Sequence, residues 1–137
     1  MPFGPERRNL VEGKSITLPD GKRIEPDEVL GPLMKGTKLV VVGDTGRTDN
    51  LVDAAKDADA LVIESTYLDE ETEMAGQFMH LTARQAAELA VKAGVKKLFL
   101  THISRRYREK DVIKEAQSVF PNTSVARDFD SFTIKRV

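Results

Sequence analysis

The stretch Lys38-Leu39-Val40-Val41-Val42-Gly43-Asp44-Thr45-Gly46 most narrows what this chain can fold into. Lys38 to Val42 is β-branched and apolar, the composition of a buried strand, and glycines bound it. The strand runs straight into Asp44, so a carboxylate is delivered at its C-terminal end. Open α/β sheets gather their ligands at that end. Two readings of Asp44 follow. It is a functional carboxylate left accessible by Gly43 and Gly46, or it caps the helix that comes next.

The same pattern recurs along the chain. A helix is expected from about Thr48 to Asp57, with Leu51, Val52, Ala55 and Ala58 on one face. The strand Ala60-Leu61-Val62-Ile63 ends in Glu64-Ser65-Thr66-Tyr67. Residues 68–79 are acidic and lack a period, which predicts a loop with one helical turn at most. Thr82 and Gln85 then form a capping box ahead of the strongest helix, whose stripe is Ala86, Leu89, Ala90 and Ala93 and whose stop is Gly94. The strand 97–101 ends in His102, a helix follows over 110–119, and short strands are expected at 123–126 and 131–136. Ahead of Lys38, residues 1–14 read as loosely structured. A small hairpin turns at Pro19-Asp20-Gly21-Lys22, and Pro26–Leu30 reads as a helical turn. The chain thus divides into an N-terminal extension, 1–36, and a β-α-β-α-β-α-β region, 37–137. That order predicts an α/β layered fold with a largely parallel sheet.

Right-handed crossovers place Asp44, Glu64 and His102 along one sheet edge, with His80 just ahead of the long helix. Both histidines of the chain fall there, and with no cysteine in its 137 residues only His, Asp and Glu remain as metal ligands. Such donors suit zinc or manganese, although Glu64 also reads as a strand-end carboxylate satisfied by hydrogen bonds. The net charge of −1 marks no polyanion binder, so any nucleic-acid contact must come from a local patch. Arg105-Arg106-Tyr107-Arg108-Glu109-Lys110 is either that patch, a phosphate clamp, or a solvated face. The Gly-Lys-Ser/Thr of a P-loop and a G-x-G-x-x-G turn are both absent, which argues against nucleotide binding. No apolar run has membrane-spanning length and no signal segment opens the chain, so a soluble, cytoplasmic protein without membrane contact is expected.

Four motifs, Gly43-Asp44-Thr45, Glu64-Ser65-Thr66, His80-Leu81-Thr82-Ala83-Arg84-Gln85-Ala86-Ala87 and Thr101-His102-Ile103-Ser104-Arg105-Arg106-Tyr107, stand in an order and spacing that resemble a known family. They resemble the C-terminal half of the tRNA 3′-end endonucleases (RNase Z), a branch of the metallo-β-lactamase fold. The resemblance covers about residues 37–135. It implies half of an αββα sandwich, a mixed sheet with helices on one face. It also implies a zinc phosphodiesterase that removes 3′ trailers from tRNA precursors, through a two-ion zinc site with manganese as the alternative metal. Asp44 then resembles the carboxylate bridging two ions and His102 a ligand of the second. His80 resembles the catalytic histidine at the scissile phosphate, Glu64 its orienting partner, and Arg105, Arg106, Arg108 and Lys110 would contact the nucleic acid.

The sequence departs from the family at Ile63, where His is frequent, and at Leu81, where Ser is usual. The His-x-His-x-Asp-His motif that supplies most zinc ligands in the family has no counterpart here. The expectation is therefore a half-enzyme, inactive alone. Strands apolar on both faces need a cover, which predicts a homodimer or a partner N-terminal half that also brings the missing ligands. The alternatives are a non-catalytic half-domain that acts as an interaction or assembly module, or another hydrolase of this fold acting on a small ester or thioester.

Overall fold

Three parallel pairings build the main sheet, and each joins strands whose apolar residues lie in register. A computed structural model describes residues 4–135. Within them the chain divides into two units between Lys35 and Gly36. In the second unit, β3 (Leu39–Val41), β4 (Ala60–Glu64), β5 (Leu98–Thr101) and β6 (Thr123–Val125) lie side by side in sequence order. Val40 pairs with Leu61, Leu61 with Leu98, Ile63 with Leu100 and Leu100 with Val125, so one face is a continuous aliphatic layer.

Strands added in sequence by crossovers of one hand put every crossover helix on the same face. α5 (Ala83–Ala93) lies against β4, β5, α3 (Val52–Ala55) and α6 (Glu109–Gln117), and α6 lies against β6. Leu61, Ile63, Leu98, Leu100, Leu89 and Val112 are buried together between sheet and helices. α5 starts as local chemistry dictates. Thr82 accepts from the Gln85 amide, the Gln85 side chain returns a bond to the Thr82 N–H, and Gly94 closes the helix at φ 69°.

The opposite face shows Leu39, Val41, Val62 and Phe99. Phe132 covers Phe99 with ring centroids 4.4 Å apart. Leu39 and Val41 stay 51% and 67% exposed. The α/β architecture with helices on one face is as expected, but every pairing in this sheet is parallel, where a mixed sheet was expected. The 131–136 strand that would have run against it is not formed over 131–135, and residue 136 lies outside the described residues.

Several elements differ in extent. The helix expected over 48–57 is only Val52–Ala55. Residues 68–79, read as a loop with one helical turn at most, hold a 3-10 turn (Asp69–Glu71) and α4 (Thr72–Gln77). In the first unit, the stretch read as loose forms α1 (Pro5–Val11), which begins at a proline in the first helical position. Leu10 is buried there, and α1 lies against β1 (Ile16–Thr17) and α2 (Pro26–Val29). The expected hairpin is present as β1 paired antiparallel with β2 (Arg23–Ile24).

Candidate active site and metal cluster

The C-terminal ends of β3, β4 and β5 converge on one group of side chains. Glu64 pairs across the sheet with Thr101, so the last residue of β4 stands beside the residue that precedes His102. His80 is brought to the same place from outside the sheet. The Tyr67 amide donates to the Leu81 carbonyl and the Ala83 amide to the Tyr67 carbonyl, which fastens residues 81–83 alongside the end of β4. Leu81, in the position where the family usually has Ser, is buried in the core.

Asp44, His80 and His102 each offer a donor atom within 4.8 Å of the others. His102 Nε2 lies 3.7 Å from Asp44 Oδ1, and the two imidazole centroids are 5.2 Å apart. Two imidazole nitrogens and a carboxylate oxygen are the donor set of a zinc- or manganese-type site, so these residues fit a divalent ion. They make a partial set, because the described residues bring no fourth His, Cys, Asp or Glu into the cluster. Asp44 does not cap α3, whose first turn follows Leu51.

Beneath this exposed cluster is a buried hub. Glu64, 1% exposed, accepts from the Thr45 amide at 3.0 Å, the Thr66 hydroxyl at 2.6 Å and the Thr66 amide at 3.3 Å. Its Oε1 also meets His80 Nδ1 at 3.0 Å. A carboxylate only accepts, so Nδ1 carries the proton and Nε2 is the nitrogen left for other work. Glu64 is thus a strand-end carboxylate satisfied by hydrogen bonds, one of its partners being His80. The Thr45 bond adds a further link, since the same carboxylate fixes the turn that carries Asp44.

Two backbone features hold the group close. Met79 and His102 have left-handed φ values of 59° and 54°, a conformation that costs non-glycine residues energy and clusters at functional sites. Gly46 comes so near the 79–80 segment that a Cβ there would lie 2.8 Å from Met79 Cα. Gly43 faces no such crowding, so of the two glycines only Gly46 is demanded by packing.

The basic run after His102 divides. Arg106 reaches Glu71 at 3.0 Å and Met74 Sδ, and Arg108 pairs with Asp111 at 3.0 Å. Arg105 and Lys110 are exposed and have no carboxylate partner among the described residues. Tyr107 donates to Glu71 at 2.6 Å, and burial together with that bond pushes its hydroxyl up to about 12. Next to the cluster, Arg47 grips Asp49 through two bonds, which holds the Asp49 carboxyl below the usual carboxylate range and raises Arg47.

Thr66, Gly46 and Met79 were not singled out from the sequence as site residues. Thr66 had a signal: two residues past Glu64 in an extended chain, it returns to the same side. The Gly46–Met79 approach joins distant segments and leaves no local pattern.

Comparison with known proteins agrees with this geometry. Residues 10–103, more than half of the chain, match the family described as beta-lactamase superfamily domain. Ribonuclease Z from Bradyrhizobium diazoefficiens is 44% identical over 134 residues, covering 98% of this chain and 44% of its own length. Ribonuclease Z from Gemmatimonas aurantiaca is 48% identical, covering 93% of this chain and 41% of its own length. The crystal structure of human tRNase Z, short form, superposes with a TM-score of 0.59 at 27% identity, over 83% of this chain and 37% of that one. The metallo-beta-lactamase fold protein YhfI from Bacillus subtilis gives a TM-score of 0.58 at 26% identity, over 64% and 36%. This chain thus spans less than half the length of the relatives it matches. By these matches it belongs to the beta-lactamase superfamily and, within it, is similar to a part of ribonuclease Z.

Proposed function

We propose that this chain supplies part of a ribonuclease Z-like, metal-dependent endonuclease that removes 3′ trailers from tRNA precursors. The observation that carries the reading is the meeting of Asp44, His80 and His102 within 4.8 Å over a buried carboxylate that orients one of them. Asp44 and His102 would hold zinc, or manganese in its place. A bound divalent ion would supply Lewis-acid chemistry at a phosphodiester. His80, with Nδ1 committed to Glu64, presents Nε2 to contact the scissile phosphate or protonate the leaving oxygen. Arg105 and Lys110, which lack carboxylate partners, are the better candidates in the basic run for RNA phosphates. Arg106 and Arg108 would first have to leave Glu71 and Asp111. A cytoplasmic setting suits that substrate, and no helix among the described residues is long and apolar enough to cross a membrane.

Two protein donors, Asp44 and His102, for a site expected to hold two ions support the reading that the chain is inactive alone and is completed by a segment bearing His-x-His-x-Asp-His. The exposed Leu39 and Val41 favour such a cover, or a second copy, and equally suit an assembly module without catalysis. The test is a pre-tRNA cleavage assay with added zinc or manganese, on the chain alone and mixed with the N-terminal half of a ribonuclease Z. The expected result is cleavage only in the mixture, lost with His102→Ala. Robust turnover by the chain alone would overturn the half-site reading, and none in either sample would favour the assembly module.

A further inference from the structure

The turn after β6 and the segment that follows it are held in opposite ways. Arg127 Nε meets both oxygens of Glu109, at 3.1 and 3.0 Å, and the Arg127 amide donates to Asp130 Oδ2 at 2.9 Å. The Asp130 amide returns a bond to the Arg127 carbonyl at 3.0 Å. Residues 131–135 then run on with no hydrogen bond among the described residues. Ser131-Phe132-Thr133-Ile134-Lys135 alternates polar and apolar as a strand does, yet no strand forms. A segment fixed at one end by a turn and unbonded along its length behaves as a strap.

What the strap covers is specific. Val41 pairs with Val62 and Val62 with Phe99, so three apolar residues form one row across the face of the sheet that lacks helices. Phe132 lies on the last of them, with ring centroids 4.4 Å apart. Phe99 is consequently 3% exposed, while Val41 at the other end of the row is 67% exposed. Beyond Phe132, residues Thr133, Ile134 and Lys135 leave a cleft of about 160 Å3 against Lys97 and Phe99, so this part of the strap is not packed down. One aromatic pair is a modest hold, and the strap lacks the ladder of bonds that would lock a strand in place.

We infer that residues 131–135 are a displaceable strap that keeps this face from pairing with the same face of a second copy. The occupant follows from the make-up of the surface. The row Val41–Val62–Phe99 carries no charge, and a two-fold pairing would lay one apolar row on another. With the strap down, Phe132 stands between the two rows. Swung away after Asp130, it frees Phe99 to join Val41 and Val62 in a single apolar surface. The strap thereby sets the concentration at which the chain associates, whatever reaction the strand-end cluster serves.

Sedimentation of the full chain over micromolar concentrations reads the effect. Phe132→Ala, and more so Phe132→Ala combined with Ile134→Ala, should lower the dimer dissociation constant roughly tenfold or more. Phe132→Tyr keeps the ring and should match the native chain. Adding Val41→Asp to Phe132→Ala should abolish the gain, because the row cannot bury an unpaired carboxylate. Association that ignores both strap variants, or a gain that survives Val41→Asp, would overturn the inference. The native chain gives a second reading that does not depend on how the variants fold. The proton contact between the Phe99 and Phe132 rings is expected in the monomer and should vanish as the dimer forms. A dimer that keeps this contact would equally overturn the inference.

Discussion

The two faces of the main sheet are made of the same strands and meet different fates. Leu61, Ile63, Leu98 and Leu100 point to the helices and are buried, while Leu39 and Val41 point the other way and remain exposed. Alternation puts Glu64 on the second face as well, two residues beyond Val62, yet Glu64 is buried. The less covered face is therefore apolar near β3 and ends, at the strand termini, in a closed polar hub. The difference teaches that this chain completes one core and one set of hydrogen bonds by itself. What it leaves incomplete is an apolar surface on the strands that end at the Asp44–His80–His102 cluster.

The largest effect should come from the covered face. Ile63→Ala removes a buried side chain from the helix-packed layer and should cost roughly 2–5 kcal/mol in denaturant unfolding. Val41→Ser, on the other face, should stay within about 0.5 kcal/mol. If the two cost the same, the second face is covered in solution, and the contrast between faces fails. Glu64→Ala comes next, because it leaves the Thr45 amide, the Thr66 hydroxyl and His80 Nδ1 without their acceptor. A loss of about 3 kcal/mol is expected, together with loss of the His80–Glu64 coupling in imidazole proton spectra. A stability loss without any change at His80 would separate the hub from the site.

Smaller again is Thr82→Ala, which deletes one half of the α5 capping box and should cost about 1 kcal/mol by thermal or denaturant unfolding. It tests whether the helical layer owes its stability to local capping or to packing. The smallest effect concerns Tyr107, which packs against the helix-side core. Its folded value is raised from 10.0 to about 12 by burial and by Glu71, so its contribution is complete below pH 10 and disappears as pH rises through about 12. The unfolding midpoint should decline over that window in the native chain and less steeply in Tyr107→Phe. Equal slopes would remove Tyr107 as the cause.

What the sequence revealed follows the range of the interactions involved. α5 was legible from Thr82 to Gly94 because its start and stop are set by residues within three or four positions. Strands β3 to β5 were legible because each is a short apolar run between turn residues. α1 was missed because its charged residues hide a single buried Leu10, and the helix expected over 48–57 shrank to one turn. In the site, the strand-end positions of Asp44, Glu64 and His102 could be anticipated from the α/β rhythm alone. The roles of Thr66 and Gly46 could not, since they arise from contacts made only after the strands pair. The pairing of Arg106 with Glu71 likewise depends on where the acidic segment 69–77 folds.

The Glu64 hub joins residues 19 positions apart at Thr45 and 16 apart at His80, through strands whose pairing is wholly parallel. In kinetic terms, no local piece of chain prefigures the site. If loop closure and strand pairing come first, the hub forms on the native side of the folding barrier. An ion held by Asp44 and His102 would then leave the refolding rate nearly unchanged and slow unfolding instead. It would act on the lifetime of the folded chain, as a clasp that closes last and opens first.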